Sequence, residues 1–119
     1  MKATNLNKMT SKSIKKHFDK TWFGYELICK DEKYYYSVHI MKKEYNPFYE
    51  EGVIYEDEED QYVNQPIRVI YYTGESEEEI EEKDKWDVEA CDEFYSSIEE
   101  AMDSSLGTLQ NLQECMWAY

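Results

Sequence analysis

Residues 56–60 read Glu-Asp-Glu-Glu-Asp, and five consecutive carboxylates cannot share one buried surface. An unpaired buried charge costs more than the few kcal/mol by which a domain is stable, so this stretch must lie in water as a loop or a hairpin tip. A second run, Glu75, Glu77, Glu78, Glu79, Glu81, Glu82 and Asp84, has little apolar company beyond Ile80 and reads as a solvated helical turn or a flexible loop. The core must come from the segments outside these two runs.

The same runs make the chain a charge dipole. Residues 1–43 carry ten lysines against four acids, or +6, whereas residues 44–119 carry three bases against twenty-three acids, or −20. A field of that sign attracts a basic surface and repels nucleic acid; it informs on partners and association rates more than on fold. Net charge −14 with few Leu, Ile, Val and Phe would suggest disorder, but aromatics make up 16% of the chain, twelve of them Tyr, so the core and its borders are expected to be built from rings. At 119 residues the chain is expected to form one domain. Cys29, Cys91 and Cys115 are odd in number with no short spacing, which fits reduced thiols and a cytoplasmic protein. No apolar run is long enough to span a membrane, and the basic N-terminus lacks the apolar stretch of a secretion signal.

Residues 1–9 read as a frayed lead-in, followed by a short basic helix from Thr10 or Ser11 to about Lys20 that docks through Ile14 and Phe18. Residues 22–30 and 34–42 form the firmest element, a hairpin turning at 31–33. Alternation puts Tyr34, Tyr36, Val38 and Ile40 on one apolar face and Tyr35, Ser37, His39 and Met41 on a mixed one. Asn46-Pro47 opens a loop, residues 53–55 suggest a brief strand, and Tyr62 and Val63 resume pairing after the first acidic run. Residues 67–72 form a strand that Gly74 ends, and residues 86–88 a short return strand. From Asp92 the period turns helical through Phe94, Ile98, Ala101 or Met102, and Ser105. Gly107 marks a break, and Thr108 caps a last helix that buries Leu109, Leu112, Cys115 and Met116. The fold class is α+β: an antiparallel sheet of about four to five strands, with a short N-terminal helix and two C-terminal helices packed on one face.

The candidate partner-binding residues are Glu56, Asp57, Glu58, Glu59 and Asp60 of the first run, Glu75, Glu77, Glu78, Glu79, Glu81 and Glu82 of the second, and the neighbouring Tyr55, Tyr62 and Tyr72. Acids on a helix or strand present rows of negative charge about 5–7 Å apart, and a groove built for phosphates accepts such rows in place of nucleic acid. Tyrosine adds rigid contact area and stacks on arginine. The plainer reading is that the runs keep the protein soluble, and that Tyr34, Tyr36 and Tyr71 replace aliphatic residues in the sheet. The basic segment with Lys12, Lys15, Lys16 and Lys20 is expected to fold against the acidic part or be solvated. His17 and His39 sit in no recognisable acid–base arrangement, no metal or phosphate-loop spacing occurs, and no cofactor is implied.

These features imply a non-enzymatic acidic binding protein that blocks the nucleic-acid groove of a basic protein. No motif points to a family; by analogy of charge alone, small acidic proteins of this size include nucleic-acid mimics such as the anti-CRISPR and anti-restriction proteins of phages and plasmids. The alternatives are an immunity protein that neutralises a basic nuclease toxin, or an assembly module that dimerises through a strand edge or through a C-terminal helix bearing Trp117 and Tyr119.

Overall fold

The hairpin expected around Asp31 lies at the centre of the molecule. The computed structural model describes residues 3–118. In chain order its elements are β1 (Thr4–Asn5), β2 (Asp19–Lys20), β3 (Gly24–Lys30), β4 (Tyr35–Met41), α1 (Glu58–Val63), β5 (Ile67–Gly74), α2 (Glu77–Lys85), β6 (Cys91–Tyr95) and α3 (Ile98–Trp117). Short 3-10 turns occupy Leu6–Lys8, Ile14–His17 and Lys43–Tyr45.

Asp31 fixes the hairpin turn, its Oδ1 accepting from the amides of Lys33 (2.8 Å) and Tyr34 (2.7 Å). That closure sets a register running from Lys30 opposite Tyr35 to Gly24 opposite Met41. The alternation in β4 follows the sequence: Tyr36, Val38 and Ile40 are fully buried on one face with Tyr34 beside them, while Ser37 and His39 are buried on the other. β3 to β6 form an antiparallel meander, and the outer edge of β3 is covered by β1, parallel at one end, and by β2, antiparallel at the other.

The helices lie on opposite faces of this sheet, where a single helical face is expected. α3 covers Leu27, Tyr36, Val38, Val69 and Tyr71 with Ala101, Leu106 and Leu109. α2 inserts Ile80 between Ile70 and Tyr72 on the other face. Strand alternation explains the division, because successive residues of β5 point to opposite sides and both sides carry rings and aliphatics.

Several local expectations are overturned. Thr10 and Ser13 exchange hydrogen bonds, Thr10 N to Ser13 Oγ (2.9 Å) and Ser13 N to Thr10 Oγ1 (3.1 Å). Such side-chain closure competes with a helix; residues 10–20 therefore make one 3-10 turn and then β2, although Ile14 is buried as expected. The lead-in is not frayed over residues 4–9, since β1 pairs with β3 and Leu6 and Met9 are buried; residues 1 and 2 lie outside the described residues. Residues 53–55 form no strand. The loop there is held by Asn64, whose Oδ1 accepts from Glu50 N (2.6 Å) and whose Nδ2 donates to the carbonyls of Glu50 and Val53. Tyr62 and Val63 belong to α1, not to a strand.

Residues 86–88 are a turn: Trp86 caps α2 and Asp87 adopts a left-handed φ of 54°. The return strand is β6, so Asp92 and Phe94 are extended, and Ser97 starts α3 by accepting from Glu100 N (3.1 Å). Gly107 does not break this helix, which runs for 20 residues. Its glycine costs about 1 kcal/mol, less than the packing of Leu106 and Leu109 around it returns. Thr108 caps nothing; its hydroxyl faces the Glu93 carboxylate at 2.9 Å. Cys115 is exposed, while Leu109, Leu112 and Met116 face the core.

Candidate functional site

Both acidic runs fold as the starts of short helices. In α2, Ser76 Oγ accepts from Glu79 N (3.2 Å) and the Glu79 carboxylate accepts from Glu75 N (2.8 Å), while Lys83 pairs with Glu79 one turn on (3.4 Å). In α1, Asp57 accepts from Glu59 N (2.9 Å). Three acids occupy the first turn of each helix, where the positive end of the dipole offsets part of their mutual repulsion. The hydrogen bond from Glu75 N holds the Glu79 carboxyl below the usual range.

The two helices approach the sheet from the same side. Phe94 and Arg68 are cross-strand partners and point the same way as Ile70 and Tyr72, the face that α2 covers. Tyr62 of α1 packs edge-on to Phe94 (5.8 Å between centroids), and its hydroxyl accepts the outer-edge amide of Phe94 at 3.4 Å. Glu56, Asp57, Glu58, Glu59, Asp60, Glu75, Glu78, Glu81 and Glu82 are all exposed, and Glu77 and Glu79 partly so. Exposed rings stand among them, Tyr62 at 51% and Trp86 at 67%.

The tyrosines singled out with the acids divide. Tyr62 is on the surface; Tyr55 is half-buried, and the Glu50 carboxylate beside it raises its phenol pKa. Tyr72 is only 1% exposed and packs in the core, its hydroxyl donating to Asp84 at 3.1 Å. The aliphatic-replacement reading holds for Tyr34, Tyr36 and Tyr71, which are all buried.

Other acids are engaged within the fold. Asp31 takes the Tyr36 hydroxyl (2.7 Å), Gln113 Nε2 (3.0 Å) and Trp117 Nε1 (2.8 Å) in addition to its turn amides. Glu93 takes the hydroxyls of Tyr71 (3.0 Å), Tyr95 (2.9 Å) and Thr108. Asp92 holds Arg68, with Glu89 at 3.5 Å from the same guanidinium. On the α3 side, Lys15 binds Asp103 (2.8 Å) and Glu99 (3.5 Å), so the basic segment folds against α3 and not against α1 or α2.

Between α2 and the Trp22–Phe23 turn lies a cavity of about 220 Å³. His39 forms part of its wall, with Nε2 at 3.1 Å from Glu26 and Nδ1 at 4.0 Å from Asp84. The hydrogen bond with His39 lowers the Glu26 pKa against the opposing effect of burial. Reading the sequence alone misses this arrangement: a turn at residues 31–33 would put Glu26 opposite Val38, whereas the four-residue turn 31–34 pairs Lys30 with Tyr35 and Glu26 with His39. The starts of α2 and α3 carry an overlooked signal, Ser-x-x-Glu at Ser76…Glu79 and Ser97…Glu100. Among the described residues no group of three or more His, Cys, Asp and Glu side chains is placed to hold a metal ion, and no helix is long and apolar enough to cross a membrane. No protein family, characterised protein or solved structure matches the chain.

Proposed function

We propose that the protein is a non-enzymatic inhibitor whose α1–α2 face occupies the nucleic-acid groove of a basic cytoplasmic protein, in the manner of an anti-CRISPR or anti-restriction mimic. One observation carries this reading: two acidic helices reach the sheet from the same side, with exposed Tyr62 and Trp86 among carboxylates that the fold leaves largely without cations. Charge of one sign on a shaped surface speeds encounter with the opposite sign, and aromatic side chains supply the packed contacts that slow dissociation. Competitive exclusion of DNA or RNA is the mechanism. The same face suits the alternative role of neutralising a basic nuclease toxin. Dimerisation through the C-terminal helix is less favoured, because the Trp117 indole already donates to Asp31 and packs edge-on to Tyr34; Tyr119 lies outside the described residues.

The test is to capture partners from a host lysate at two ionic strengths, purify the basic protein retained, and measure association by stopped flow with nucleic acid as competitor. Association should slow by at least about tenfold from low to high salt. Asp57→Asn combined with Glu58→Gln and Glu59→Gln should reduce the association rate and leave dissociation nearly unchanged. A partner that holds nucleic acid and this protein at the same time would refute the proposal.

A further inference from the structure

The cavity beside His39 has a composition that the acidic surface does not explain. Its aromatic wall is continuous: Trp22 packs edge-on to Phe23 (5.4 Å), Phe23 tilts against His39 (5.4 Å), and His39 tilts against Tyr72 (5.3 Å). Asp84 and Asp87 also line the cavity, Asp84 beside the Tyr72 hydroxyl (3.1 Å) and His39 Nδ1 (4.0 Å). Trp22 is 76% exposed, an unusual setting for a tryptophan that has two aromatic neighbours, the second being Tyr45 at 5.2 Å. A volume of about 220 Å³ falls short of a typical small-molecule site of about 300–1,000 Å³ and suits one inserted side chain.

Charge decides which side chain. Arg68 also lines the cavity, but its guanidinium is matched by Asp92 and Glu89 and lies over the Phe48 ring at 4.8 Å. Asp84 and Asp87 are then left to set the sign of the opening. The Tyr72 phenol registers this: burial raises its pKa most, and Asp84, Glu89 and Asp87 raise it further. Rings and carboxylates lining one narrow cavity match a planar cation, which stacks on rings through its face and donates to oxygens through its edge.

We propose that this cavity receives the guanidinium of an arginine side chain presented by a protein partner. The proposal rests on the acidic-face reading only for which protein presents that arginine. α1 and α2 steer the partner electrostatically, and the cavity grips one of its side chains. Asp87 is placed for this by its left-handed backbone, a conformation that Asp and Asn adopt more readily than most residues.

The experiment is a titration of the isolated protein, followed by 1H–15N spectra that include the Trp22 indole, with N-acetyl-arginine N-methylamide, its citrulline counterpart and its lysine counterpart as probes. Blocked arginine should give saturable shifts confined to the cavity residues, and blocked citrulline should bind about tenfold more weakly. Asp87→Asn, which keeps the turn geometry, should weaken arginine binding by a similar factor, as should Trp22→Ala. Glu114→Gln, the same loss of charge on exposed α3, should change it less than twofold. Citrulline binding as tightly as arginine, shifts spread over α1 and α2 without saturation, or an unaffected Asp87→Asn would overturn the proposal. Tighter lysine binding would overturn the guanidinium assignment. No partner is involved, so failure here leaves the salt test of the acidic face standing, and failure of that test leaves this one standing.

Discussion

Replacing Asp31 with alanine should be the most damaging single loss of a surface carboxylate, because its two oxygens accept from five donors that join the hairpin to α3. The Tyr36 ring is fully buried, so an orphaned Tyr36 hydroxyl forfeits about 1–3 kcal/mol. The Lys33 and Tyr34 amides (2.8 and 2.7 Å) regain water in part, for a net loss of about 1 kcal/mol. Gln113 and Trp117, at the end of α3, are freed at little further cost. The total is about 2–4 kcal/mol, readable by urea unfolding followed through Trp fluorescence and circular dichroism, and Asp31→Asn should lose about half as much. Burial pushes the Asp31 carboxyl up, but the hydrogen bonds from Trp117, Tyr34, Tyr36 and Lys33 outweigh it and hold the group well below the usual aspartate range. A depressed carboxyl stabilises fully above its unfolded pKa of about 3.9 and loses that contribution as pH falls through the lower folded value. The gap between wild type and Asp31→Asn should therefore be constant from pH 7 to 5 and shrink below pH 4. An Asp31→Ala protein within about 0.5 kcal/mol of wild type, or a gap that does not change down to pH 2, would refute this account.

Gly24 has φ of 152° and a Cβ there would lie 2.2 Å from the Ile40 carbonyl oxygen, so Gly24→Ala should cost at least about 1–3 kcal/mol in urea unfolding. Gly107→Ala should gain about 1 kcal/mol in the same assay, since that position is an exposed helix interior with nothing within 4 Å of an added methyl. Glu26→Gln should destabilise by about 1–2 kcal/mol at pH 7. Because the Glu26 carboxyl is depressed mainly by His39, that penalty should fade as pH drops below the ordinary glutamate value of 4.5; a penalty equal at pH 7 and pH 3 would exclude the His39 contact as its cause.

Where the sequence is regular over many residues it reads correctly. Period-two alternation in β4 assigns the faces of Tyr36, Val38, Ile40 and His39 without error, because one slipped residue would bury the wrong set. What fails is decided by a few atoms. Thr10 and Ser13 favour a helix start by type, and only their mutual hydrogen bonds turn that start into a single 3-10 turn. Phe94 fits a helical stripe with Ile98, yet Ser96-Ser97 separates a strand from a helix, and the boundary shows in the cap at Ser97, not in the spacing of apolar residues. Gly107 looks like a break because helix propensity is weighed locally, whereas α3 is held by Ala101, Leu106 and Leu109 on the sheet. Within the site, that both runs are exposed follows from charge alone. The placement of α1 depends on the packing of Tyr62 against Phe94, thirty-two residues away, which no local pattern encodes.

A chain rich in both tyrosine and acid raises the question of how many carboxylates the fold itself requires. Three tyrosines that are at most 1% exposed, Tyr36, Tyr71 and Tyr72, each donate to a carboxylate, on Asp31, Glu93 and Asp84. A sheet core filled with rings instead of aliphatics needs such acceptors, since a buried phenol without one costs as much as its ring burial contributes. Lys15 and Arg68 account for Glu99, Asp103, Glu89 and Asp92, and caps account for Asp57 and Glu79. Of the eighteen acids outside these internal uses, nine lie in or next to α1 and α2: Glu56, Glu58, Glu59, Asp60, Glu75, Glu77, Glu78, Glu81 and Glu82. Like-charge neighbours at helical spacing cost each helix about 0.2–0.5 kcal/mol per pair, and a single Ile80 is the only buried residue of α2. Acids that strain a helix without serving the fold are thus most concentrated in α1 and α2, a distribution that selection by an external cation would leave.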